Sequence, residues 1–129
     1  MKVGVVKAFQ DESIIEQRQF VSEYTFRLRE LSRTKITIRI YQEPDGRFYF
    51  EQSHYIHTPP QASAYTTSIT WAESEEEALR RAVDTITSYY KQAIEEGHKP
   101  SLDWLEPDED FFHPASDSPL WHLGCREYP

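Results

Sequence analysis

From Lys35 to Glu43 the chain alternates, with Ile36, Ile38 and Ile40 on one side and Thr37, Arg39 and Tyr41 on the other. That period of two predicts a strand with one buried face. Pro44-Asp45-Gly46 is turn chemistry: proline presets its φ, and glycine tolerates the positive φ that closes a hairpin. Arg47 to His57 then predicts a second strand, with Phe48, Phe50, Gln52, His54 and Ile56 on a shared face. Thr58 to Ala64 reads as a loop, because the paired prolines Pro59 and Pro60 cannot donate to a sheet ladder. Tyr65 to Trp71, β-branched and aromatic, predicts a third strand with Tyr65, Thr67, Ile69 and Trp71 on one side.

At about Ser74 the period changes to that of a helix running to Glu96. Ser74 is a good N-cap, and Glu77 three residues on completes a capping box. Glu75, Glu76 and Glu77 put negative charge at the positive end of the helix dipole. Leu79, Ala82, Val83, Ile86, Tyr90, Ala93 and Ile94 form one apolar stripe. Gly97 supplies the left-handed stop, and Pro100 prevents a restart.

The first third carries two patterns at once. Ile14, Val21 and Leu28 keep a heptad spacing with Tyr24 and Leu31, whereas Tyr24, Phe26 and Leu28 alternate with Thr25, Arg27 and Arg29. The reading adopted is a helix from Ser13 to about Val21, with residues 22–32 open to helix or strand. The strand option gives a four-stranded sheet with Arg27, Arg29 and Arg39 on its outer face. The fold class expected is α+β: an antiparallel sheet of three or four strands, one long amphipathic helix on one face, and a shorter N-terminal helix. After Lys99 the composition shifts. Five prolines (Pro100, Pro107, Pro114, Pro119 and Pro129) punctuate large apolar and acidic residues. A compact domain over 1–98 and a Pro-rich, acidic, aromatic C-terminal arm over 99–129 are therefore expected.

Composition narrows the class. The 129 residues include 3 Trp, 8 Tyr and 7 Phe, an aromatic content that argues against general disorder and for a proper core. A single cysteine, Cys125, allows no intrachain disulfide and suits a reducing compartment. The N-terminal apolar run has no signal-peptide pattern and no run reaches membrane-span length; a soluble, cytoplasmic protein is expected. The net charge of −8 is uneven: residues 73–98 carry seven acidic and three basic side chains, and 99–129 carry seven acidic and two basic. Such a surface disfavours direct binding to nucleic acid or anionic lipid, which relies on clustered Lys and Arg.

Candidate chemistry is sparse. With 4 Gly there is no phosphate-cradling loop, and no Gly-x-Ser-x-Gly elbow is present. His54-x-x-His57 on a strand sends its imidazoles to opposite faces. His122-x-x-Cys125 with His113 is a better half-site, yet the second ligand pair of a structural zinc site is missing. Asp108-Glu109-Asp110 lacks the alternating ligands and glycine of a calcium loop. No cofactor and no metal are expected, and the residues point away from catalysis more than towards it. Arg39, Tyr41, Tyr49 and Tyr55 share the sheet face opposite the helix, where covering by the N-terminal segment or the arm, or contact with a protein, fits a net negative chain better than base stacking.

Strand, turn, strand, strand and a helix opening with Ser74-Glu75-Glu76-Glu77-Ala78-Leu79 resemble, over roughly residues 35–97, small HicB-type antitoxin domains. That resemblance implies a strand meander with a capped helix and binding to a toxin ribonuclease. The chain departs from it in its long N-terminal segment and in having no DNA-binding element after the helix. From the residues themselves, the function expected is a non-catalytic protein-interaction or regulatory module. Its partner-binding residues would be Trp104, Asp108, Glu109, Asp110, Phe111, Phe112 and Trp121, with Trp104, Phe111 and Trp121 either folded back on the domain or anchoring a partner. Two alternatives stand beside it: a nucleic-acid mimic that occupies a basic groove, and a small enzyme or ligand-binding domain using a sheet/arm cleft near His54, His57 or His113.

Overall fold

The structure, a computed structural model, describes residues 1–113. It is an α+β domain. Strands β1 (Gln19–Leu28), β2 (Leu31–Gln42), β3 (Phe48–Gln52) and β5 (Trp71–Ala72) form an antiparallel sheet in the order β1-β2-β3-β5. A second, two-stranded sheet joins β4 (His54–Ile56) to β6 (Leu105–Pro107). Helix α2 (Glu75–Glu95) covers one face of the main sheet; α1 (Val3–Ala8), a 3₁₀ turn (Leu102–Trp104) and α3 (Glu109–Phe112) complete the chain.

The centre is β2. Ile36, Ile38 and Ile40 have no solvent exposure at all, and they meet Ala78, Ala82, Ile86 and Ala93 of α2, equally buried. The alanines let the helix axis approach the sheet closely while the isoleucines fill the gap. Two apolar clusters result. Ile38, Ile40, Phe50, Ala72, Ala78 and Ala82 form one. Leu28, Leu31, Ile36, Ile56, Ile86, Tyr90, Ala93, Trp104 and Leu105 form the other. The expected stripe on α2 is rotated slightly: Ala78 and Thr85 are buried, whereas Ile94 is exposed.

Local chemistry sets the ends of these elements. Ser74 Oγ accepts from the Glu77 N–H (3.1 Å). At the far end Gly97 adopts φ +89°, the His98 N–H donates to Ala93 O (3.0 Å) and the Gly97 N–H to Ile94 O (3.0 Å), a Schellman closure. In the β2–β3 hairpin Gly46 takes φ +85°, and Asp45 Oδ1 accepts from the Arg47 N–H (2.8 Å).

Three sequence expectations change. The helix over Ser13 to Val21 does not form; its place is taken by a turn at Asp11, whose Oδ1 accepts from the Ser13 N–H (2.7 Å), and by β1. The short N-terminal helix is Val3–Ala8 instead. Residues 22–28 are strand because β2 needs a partner on that side and Tyr24-Thr25-Phe26 has the period and residue types to supply one. Tyr65–Thr70 is irregular, with only Trp71–Ala72 in the sheet. The Thr67 hydroxyl accepts from the Ile69 N–H (3.1 Å), a local bond that competes with a ladder. Finally, the second strand breaks at Ser53 into β3 and β4, which belong to different sheets.

Trp104 packs edge-on to Tyr90 with ring centroids 6.2 Å apart and is 4% exposed. Trp104→Ala is therefore expected to cost about 3–5 kcal/mol, read by denaturant unfolding of the full chain. A chain ending at residue 98, which lacks both Trp104 and Leu105, should melt at least as far below the wild type; a melting point equal to that of the full chain would contradict this packing.

Candidate interaction surface

After α2 the chain returns across the domain. The Trp104 carbonyl accepts from the His57 N–H (2.8 Å), and β6 pairs with β4 in the register Ile56↔Leu105, Tyr55↔Glu106 and His54↔Pro107. The Asp108 N–H then donates to the Ser53 carbonyl (2.9 Å). Asp108 caps α3, accepting from the Asp110 N–H (3.0 Å) through Oδ1 and from the Tyr55 hydroxyl (3.1 Å) through Oδ2. These bonds carry α3 onto the sheet face opposite α2. There Phe111 is 7% exposed, and the Arg39 guanidinium lies 4.2 Å from its ring centroid, a cation–π contact.

The predicted residues therefore divide. Trp104 and Phe111 are buried in the domain; Asp108 is half-buried; Glu109, Asp110 and Phe112 are exposed. Trp121 lies outside the described residues, as do His122 and Cys125. Phe112 contacts Phe111 (centroids 5.3 Å) and His54 (6.0 Å), so one aromatic row runs from the buried to the exposed side.

Between α3 and the sheet lies a small cleft of about 140 Å³ with Glu51, Gln52, Tyr55, Asp108, Asp110 and Phe111 among its walls. Three of its walls are carboxylates and none of its lining residues is basic. Burial, followed by the nearby Asp108 carboxylate, pushes the Tyr55 hydroxyl up to about 12, so it stays a neutral donor. Of the cleft's carboxylates, Glu51 is bridged by Arg18 and Asp108 accepts from Tyr55 and from the Asp110 N–H, which leaves Asp110 to meet a cationic side chain.

The rest of this sheet face is covered from the N-terminal side. Arg18 stacks over Tyr41 (4.6 Å) and bridges Glu43 (2.9 Å) and Glu51 (3.0 Å). Tyr49 donates to Asp45 Oδ2 (2.7 Å). Thus Arg39, Tyr41, Tyr49 and Tyr55 each have an intramolecular partner. Glu51 and Arg18 escaped the sequence reading. The position of Glu51, two residues from Tyr49 on the same strand, was a usable signal; Arg18 was hidden by the helix assigned to its segment.

Among the described residues, His54 and His57 do not converge. His54 Nδ1 lies 2.7 Å from Ser53 Oγ, while His57 Nδ1 faces Glu106 Oε2 (2.7 Å) and its Nε2 faces the Gln61 carbonyl (3.2 Å). No protein-family model matches the chain, and no match is found among curated proteins or solved structures; the likeness to HicB-type domains gains no support from them.

Two pH effects follow. Burial lowers the His54 imidazole below its ordinary 6.5, so the unfolded chain binds that proton first. Stability should then fall as pH drops below about 6.5, and His54→Gln should flatten the melting-temperature profile between pH 7 and 5. Tyr55 has the opposite edge: its stabilisation is complete below about pH 10 and is lost as pH rises towards about 12. Tyr55→Phe should be less stable by about 1 kcal/mol at neutral pH, with the gap closing above pH 10 in parallel melts.

Proposed function

We propose that the protein is a non-catalytic, protein-binding module that engages a basic segment of its partner through the acidic edge built by α3. The observation that carries this reading is the division of labour in residues 104–112. Trp104, Leu105 and Phe111 are buried, so the segment is held in one shape, while Glu109, Asp110 and Phe112 remain exposed beside a carboxylate-lined cleft. A preorganised charged patch around an aromatic gives up little conformational freedom on binding. The same charge steers a basic partner towards it. Asp108, half-buried, acts by holding α3 rather than by direct contact. Ser53, whose hydroxyl lies beside His54, is 1% exposed and accepts from the Thr37 N–H, and His54 is separated from His57; both favour this reading over an enzyme.

Nucleic-acid mimicry has weaker support. A mimic presents a regular array of negative charge, but the exposed side of α2 interrupts its acids with Arg80 and Arg81, and Arg80 is tied to Glu76 at 3.0 Å. A lone cysteine and the acidic composition support a soluble, cytoplasmic setting, and among the described residues no helix is long and apolar enough to cross a membrane.

The test is affinity purification from the native host with the tagged full chain and a Glu109→Lys/Asp110→Lys variant, read by mass spectrometry. A protein recovered by the wild type and at least about ten-fold less by the charge-reversed chain, roughly 1.4 kcal/mol of binding, is the expected result. Equal recovery by both would remove this patch from the interaction.

A further inference from the structure

Strand β1 lies at the edge of the main sheet. It is ten residues long, and natural edges of that length are ordinarily blunted by lysine, proline or distortion. Gln19–Leu28 contains neither lysine nor proline. Its bulge falls at its start, between Phe20 and Ser22; the irregularity near Leu28 takes its extra residues from β2. Residues 22–26 thus form an edge in regular register with β2. Among the described residues, no backbone hydrogen bond reaches it from any element but β2.

The direction of the outer backbone groups can be read from β2. The Thr37 N–H donates to Ser53 Oγ (2.8 Å), and its carbonyl accepts from the Ser53 N–H (2.9 Å), so both point towards the β3 side. Thr25 is opposite Thr37. In an antiparallel ladder such a pair directs its backbone groups away from each other. Thr25 therefore turns its N–H and carbonyl outward, and Glu23, opposite Arg39, does the same; Arg27 continues the alternation into the irregularity before Leu28.

We infer that β1 is the self-association surface of this protein, pairing antiparallel with β1 of a second copy about a two-fold axis at Thr25. In that register Thr25 faces Thr25, Glu23 faces Arg27 and Tyr24 faces Phe26, each charged or aromatic pair occurring twice. Threonine, opposite-charge and aromatic pairs are the cross-strand combinations that stabilise sheets. Centring on Glu23 or on Arg27 instead sets like charges against each other, and only the Thr25 centre sets Glu23 opposite Arg27. Tyr24 and Phe26 lie on the side facing α2, Tyr24 at 39% exposure, and both lose water contact in the pair. Glu23 already holds Arg39 Nε (3.0 Å) with one oxygen; Arg27 of the second copy extends that pair into a short charge row. The two sheets become one continuous sheet with both long helices on the same side.

Sedimentation equilibrium of the full chain across concentration tests this, together with amide exchange at Glu23, Thr25 and Arg27. The expected result is a dimer in which these three amides are protected, with protection lost on dilution. Thr25→Pro removes an outward donor that no bond among the described residues uses, which an edge strand tolerates. It should stay folded by circular dichroism and dimerise at least about ten-fold more weakly. Should that variant unfold, Arg27→Glu decides: it sets Glu23 against a carboxylate twice and should weaken the dimer at least about ten-fold. A wild type still monomeric at about 100 µM, with the edge taken by residues 114–129 or by a different protein, overturns the proposal. So does a dimer unaffected by the deciding variant.

Discussion

Everything in this domain is registered on the burial of Ile36, Ile38 and Ile40 beneath α2. A period-two strand has only two faces, so sealing one against a helix fixes the other as the display side. From that single choice follow the outward aim of Thr37, Arg39 and Tyr41 and the pairing partners of β1 and β3. Full burial of three β-branched side chains contributes several kcal/mol, and a slip by one residue would place Arg39 in the core. The register therefore has no near competitor. Glu75, which accepts from the Ser22 and Tyr24 hydroxyls at 2.6 and 2.7 Å, pins the start of α2 to β1 and fixes where along the ridge the helix lies.

The display side is closed by different means. Few aliphatic side chains are available there, so cations and aromatic rings cover it: Arg39 under Phe111, Arg18 over Tyr41 and, at the neighbouring edge, Arg47 over Trp71 at 3.8 Å. A guanidinium keeps hydrogen-bonding to carboxylates at its rim while its plane shields a ring. An acidic chain with few basic residues thus places several of its arginines on aromatics, which leaves the outer rim, where α3 sits, negative.

What the sequence made legible is the part decided by local chemistry. The long helix, its serine cap and glycine stop, the Pro44-Asp45-Gly46 hairpin and the isoleucine face all depend on contacts within a few residues. The α+β class followed from them, with the sheet left at three or four strands. The misread segments are those decided by distant partners. Ile14, Val21 and Leu28 keep a helical spacing, but Ile15 is 98% exposed and no surface receives such a helix, whereas β2 offers an open edge to Tyr24 and Phe26. Tyr65–Thr70 has strand composition, yet only its ends bond to β4 and β3, through the Tyr65 N–H and the Thr70 carbonyl, while the Thr67 hydroxyl takes the Ile69 N–H between them. The candidate surface was half legible. Acidity and aromatics marked residues 104–112, but which of them face inward depends on Tyr90, Arg39 and Ser53, far away in sequence.

Ser53 joins the two sheets. Its N–H and hydroxyl hold Thr37 at the centre of β2, while its carbonyl holds the Asp108 N–H at the start of α3. One residue is thus bonded to both the most buried strand and the most outward-facing turn. A molecule that clamps α3 therefore restrains the central strand as well, and by mass action the occupied protein opens less often than the empty one. Local openings are where proteases cut, so under the proposed function the lifetime of this chain in a cell rises and falls with the supply of the partner at its acidic edge.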